Sequence, residues 1–188
     1  MVGGLSLNQS MFAANVIDSR ANKTHNFDLT DTNTAILDGT ALVSAGIRLP
    51  GGGMMSASVF KSANFTADNP IMLVRGINVD GSPFEVEVNV NEVNPKNASF
   101  IEMFALDGYF ENKGQNLSAV RNAVIAMAAQ ESQGKSFGFV DAFVSQNFVS
   151  PLQEMMKNQR ALGNWEVFMR LNYIIENLLS HLDINRLQ

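Results

Sequence analysis

The chain has 188 residues, 46% hydrophobic and 16% charged, with a formal net charge of -5 at pH 7, enough to bury one good core or two small ones sharing an interface. The acidic balance, without any concentrated Lys/Arg surface, argues against a phosphate-backbone partner. The absence of cysteine removes disulfides, thiolate metal sites and cysteine nucleophiles together.

Met1 to Ser10 carries no Lys or Arg and no long apolar block, which is not the pattern of a secretory signal peptide. Apolar runs such as Ala123 to Ala129 fall short of a bilayer span. Residues 1–38 are rich in Asn, Ser, Thr and Asp and read as a polar extended arm with room for a helical turn or two, in which only Met11 to Ile17 offers a short apolar stretch able to dock. Residues 39–188 read as a single α+β domain, β-rich over 39–95 and helical over 96–188, with the change of period at Pro95.

Thr40 to Leu49 is a candidate strand, closed by Pro50-Gly51-Gly52-Gly53, where fixed proline φ and three glycines resist regular structure. Ser56 to Thr66 reads as a second strand. Ile71 to Val79 and Phe84 to Val90 flank Asp80-Gly81-Ser82-Pro83 and predict a β-hairpin, because Asp and Gly tolerate positive φ. Phe84, Val86, Val88 and Val90 alternate with Glu85, Glu87 and Asn89, so one face of the sheet is buried and the other wet.

Ser99 with Glu102 three residues later predicts a capping box opening the first helix, which Gly114 ends. Asn116 or Ser118 opens a second helix with Leu117, Val120, Val124 and Met127, stopped by Gly134. Phe137, Val140, Phe143 and Val144 predict a third helix, interrupted at Ser150-Pro151, where Ser150 as N-cap and Gln153 form a second capping box. Trp165 to about Asp183 is the most strongly patterned segment. Trp165, Phe168, Asn172, Ile175, Leu179 and Leu182 follow a 3-4-3-4-3 seam with one polar member, and Val167, Leu171, Ile174 and Leu178 form a second stripe beside it. A helix apolar over so wide an arc needs two neighbours, either within the chain or across a subunit interface.

Motifs that carry chemistry are few. Ala129-Gln-Glu-Ser-Gln-Gly134-Lys135-Ser136 resembles a loosened phosphate-binding loop, but it follows an alanine-rich helix instead of a strand, and Gly134 reads as a helix C-cap. His25 and His181 are the only histidines, too few for a zinc site, and His181 reads as a cation favouring the end of the last helix. Glu85, Glu87, Asp80 and Glu92 make an acidic strand face explained by ordinary solvation. Asp107, Tyr109 and Glu111 near the end of the first helix, and Asp141 among phenylalanines, are the candidates for acid–base work, which would need a cleft that gathers them with His181.

The expected fold is α+β, a small antiparallel sheet with a β-hairpin in the N-terminal half, its Val86/Val88 face packed against a C-terminal bundle of four to five helices. The expected function is a non-enzymatic assembly or interaction protein that self-associates through its last helix. The alternative is a small-ligand-binding or regulatory module with a pocket between sheet and helices. No catalytic, cofactor or metal site is assigned, and the expected partners are a second copy or another protein, without nucleic acid or a membrane span. A cytoplasmic location is the default, with leaderless export as the alternative.

Overall fold

The computed structural model describes residues 13–18, 23–28, 41–50, 52–136 and 141–185, with backbone alone for the first two stretches and for 183–185. Within the N-terminal segment the two described stretches are strands, β1 (Ala13–Asp18) and β2 (Lys23–Asp28), paired antiparallel with Val16 opposite His25. The apolar stretch at Met11 to Ile17 is extended from Ala13 onward. The main sheet is an antiparallel meander, β3 (Val43–Arg48), β4 (Met54–Lys61), β5 (Ile71–Ile77) and β6 (Pro83–Asn89), in that spatial order. Four helices follow, α1 (Phe100–Asn112), α2 (Ala119–Glu131), α3 (Val149–Ala161) and α4 (Trp165–Asn185), so the class is α+β.

The β5–β6 hairpin forms where Asp-Gly predicts it. Asn78 N–H donates to the Ser82 carbonyl at 2.8 Å, and Gly81 takes a φ of 83° that a side chain would resist. Asp80 accepts from the Ser82 hydroxyl and amide, and those bonds hold its carboxyl below the ordinary value. Pairing aligns Val43, Val59, Val74 and Val86 in one row across the four strands. Val59, Val74 and Val86 are buried, and so are Phe84 and Val88, while Glu87 is exposed. Burial of that face joins the sheet to the helices in one apolar core.

Helix α1 lies inside this core. Ten of its residues, from Phe100 to Phe110, are buried, as expected of a helix that is apolar all round. Its start is the predicted capping box: the Ser99 side chain accepts from the Glu102 amide at 3.2 Å, and Glu102 accepts from the Ser99 amide at 2.8 Å. Gly108 lets α1 approach β4 closely, because a Cβ there would stand 2.4 Å from a Val59 methyl carbon.

Two helix expectations are corrected. Residues 141–148 are not helical, and residues 137–140 of the same stretch lie outside the described residues. An Asp141 side chain that accepts from the Phe143 amide at 2.8 Å and an antiparallel bridge between Gln146 and Ala98 hold the chain out of a helix. Phe143 and Phe148 instead pack edge-on against Phe84 and Phe100, at centroid distances of 5.4 and 4.9 Å. Helix α3 begins at Val149, and its first amides, of Val149 and Ser150, are bound by the Asn147 side chain at 3.0 and 2.9 Å. Asn147 thus does the work expected of Ser150.

Candidate functional site

Helices α3 and α4 form an antiparallel hairpin turned at Gly163, whose φ of 73° closes the link. Only Val149, Pro151 and Leu152 of α3 are buried, and on α4 burial starts at Leu171. No residue from 153 to 170 is buried, although this distal half carries Met155, Met156, Leu162, Trp165, Val167, Phe168 and Met169. The outer part of the hairpin is therefore only partly covered: Met155, Met156 and Val167 are half-buried against the core, and most of the rest faces outward. Leu162, Trp165, Met169 and Tyr173 are the most open, at 78, 58, 61 and 47% exposure.

The expected seam divides along its length. Trp165 is exposed, Phe168, Asn172, Leu179 and Leu182 are half-buried, and Ile175 is buried at 4% exposure. The adjacent stripe, Leu171, Ile174 and Leu178, is the one that fills the core, with Val167 half-buried at its outer end. Asn172 donates from its side chain to Glu176 at 2.8 Å on the helix flank. Trp165, Met169 and Tyr173 form an outward stripe that the seam reading missed, although their i, i+4, i+8 spacing was present in the sequence. The Trp165 ring meets Phe168 edge-on at 5.7 Å, and the Arg160 guanidinium lies 5.9 Å from the Phe168 ring.

Two clefts flank α1. The first, of about 330 Å³, runs between β3 and the α1–α2 corner, lined among others by Val43, Ile47, Phe104, Asp107, Glu111 and Arg121. Asp107 is buried, and its two carboxylate oxygens accept from the Ala119 and Val120 amides at 2.8 and 3.0 Å. These bonds close the start of α2, where Ser118 has a left-handed φ of 48° and makes no capping bond of its own. Burial pushes the Asp107 carboxyl from the ordinary 3.8 to about 6, against the pull of the two amides and with help from the Glu111 charge.

The second cleft, of about 480 Å³, gathers Asn91, Tyr109, Lys113, Gln115, Asn177 and His181. His181 does not face solvent at the helix end. Its ring is buried and donates from Nε2 to the Val90 carbonyl at 2.9 Å. Burial holds its pKa below the ordinary value, against the Val90 bond and with help from the Lys113 charge. Tyr109 and His181 share this cleft, while Asp107 belongs to the other and Asp141 lines neither. The acid–base candidates are dispersed.

Helix α2 ends at Glu131 with Ser132 as its C-cap, and Gly134, at φ 88°, turns the chain just beyond it, its amide donating to the Glu131 carbonyl at 2.9 Å. On the acidic strand face, Glu85 pairs with Arg75 and Glu87 accepts from Ser62. Among the described residues no group of acids and histidines is arranged to hold a metal ion, and no helix is long and apolar enough to cross a membrane. Comparison with protein-family models, with curated proteins and with solved structures returns no match.

Proposed function

We propose that this chain is a non-enzymatic assembly protein that self-associates through the α3–α4 hairpin, two hairpins closing into an intermolecular four-helix bundle. The observation that carries the reading is the distal hairpin itself, two helices rich in Met, Trp and Phe with no buried residue from 153 to 170. The hairpin is covered by the core on one side only, and the exposed apolar stripe of Trp165, Met169 and Tyr173 along it is what a partner surface looks like. A second copy is the occupant favoured by the charges. A two-fold axis near Phe168 sets Glu166 of each copy against Arg170 of the other, and Trp165 crosses near Tyr173.

Light scattering coupled to size exclusion, over a wide concentration range, tests this on the full chain. The dimer is expected to be lost in Trp165→Glu and Met169→Glu. It is expected to weaken in Glu166→Arg or Arg170→Glu alone and to return when both are exchanged. A wild-type chain that stays monomeric at every concentration overturns the reading.

A second reading, a ligand-binding module, is favoured by one observation: the cleft between β3 and the α1–α2 corner, a pocket between sheet and helices of the size small ligands use.

A further inference from the structure

The β3/α1–α2 cleft is bipolar, and that property narrows what it takes. One wall is apolar, made by Val43, Ala45, Ile47, Phe104, Leu117 and Val120. The rim carries one acid from α1, Glu111, and one base from α2, Arg121. Among the described residues neither has an ion-pair or hydrogen-bond partner, and they do not pair with each other. The Glu111 charge acts on the buried Asp107 carboxyl. Asp107 itself is engaged by α2 and takes no part in recognition. The corner is held by Ser118, strained into the left-handed region, whose hydroxyl bonds the Asn116 side chain at 2.7 Å.

We infer that this cleft binds a small zwitterion with an apolar side chain, a free α-amino acid of the leucine or phenylalanine kind. The ammonium group meets Glu111, the carboxylate meets the Arg121 guanidinium in its forked geometry, and the side chain lies on the Val43, Ile47 and Phe104 wall. A simple amine would leave Arg121 unanswered, and a fatty acid would leave Glu111 facing its chain. Size agrees: a cleft of about 330 Å³ holds about eleven waters at about 30 Å³ each, which suits one amino acid and not a nucleotide or a sugar chain. The inference rests on the ligand-binding reading of this cleft and is independent of self-association.

Isothermal titration calorimetry of the full chain with L-leucine and L-phenylalanine tests it, with N-acetyl-leucine lacking the ammonium and leucinamide lacking the carboxylate. The free amino acids are expected to bind, and each blocked form to bind about tenfold or more weakly. Glu111→Gln should lose the preference against N-acetyl-leucine alone, and Arg121→Gln the preference against leucinamide alone. Both variants change exposed or half-exposed rim positions and leave the core intact. If blocked and free forms bind alike, the cleft takes apolar ligands and the zwitterion assignment is wrong. If leucine binds Ala45→Phe, which fills the cleft, as well as wild type, the site lies elsewhere. If no probe binds, the ligand-binding reading fails with the inference.

Discussion

Asp107 joins two helices with one carboxylate, sitting in α1 and closing the start of α2. Removing it in Asp107→Ala leaves two buried amides without an acceptor, which is expected to cost about 1–3 kcal/mol in denaturant melts. The pH dependence follows from the direction of its shift. With a pKa raised from 3.8 to about 6, the folded chain holds this proton more tightly than the unfolded one. The contribution is therefore fully present below about pH 3.8 and is lost as pH rises through about 6. His181, with a lowered pKa, acts the other way: its contribution is present above about pH 6.5 and lost as pH falls. Differences between variants separate the two. The stability gap between wild type and Asp107→Asn should narrow as pH rises from about 4 to about 6, and a gap that widens would mean that the α2 amides outweigh burial. Little of this was legible in the sequence. The Ser99/Glu102 box joins residues three apart and could be read directly, whereas Asp107 reaches amides 12 and 13 residues away, a pairing that only the fold creates.

Between elements, the closest approach is α1 on β4 at Gly108 and Val59. In an isolated helix, replacing glycine by alanine gains about 1 kcal/mol. Here the new Cβ would stand 2.4 Å from one Val59 carbon and 2.9 Å from another, both attached to a buried branched side chain that cannot turn away. Gly108→Ala is therefore expected to destabilise, by about 1–3 kcal/mol, and adding Val59→Ala should recover part of the loss. Thermal and urea melts of the two variants check this, and a stabilised Gly108→Ala would contradict the close helix–sheet contact. Strands β3 to β6 were legible because alternation and turn residues are local signals. The third helix was misread because the spacing of Phe137, Val140, Phe143 and Val144 is helical while the Ala98–Gln146 bridge, formed across nearly fifty residues, decides the backbone. On α4 periodicity revealed two stripes but not which one meets the core. Leu171, Ile174 and Leu178 do so only because the sheet and α1 lie on that side.

At the scale of the molecule, shortening the hairpin distinguishes a docking arm from a structural strut. If the distal hairpin serves association, its removal should leave the core folded. Deleting Glu154–Arg160 together with Asn164–Arg170 takes seven residues from α3, and six from α4 with the linker residue Asn164, and the seven-residue step returns the remaining α3 side chains to nearly their original faces, within about 20°. Leu152, Leu171 and the buried residues beyond them are kept, while the half-buried Met155, Met156 and Val167 are lost, and among the described residues the ion pair lost, Lys135 with Glu154, is exposed and worth little. The shortened chain keeps the fully buried residues and is expected to melt cooperatively, but below the wild-type monomer because the core contacts of Met155, Met156 and Val167 are lost. It should also stay monomeric at concentrations where the full chain dimerises. A shortened chain that fails to fold would place the hairpin among the elements that hold the core, and one that still dimerises would move the interface to another face of the molecule. Retained binding of an apolar amino acid by the shortened monomer would show that cleft and hairpin act independently.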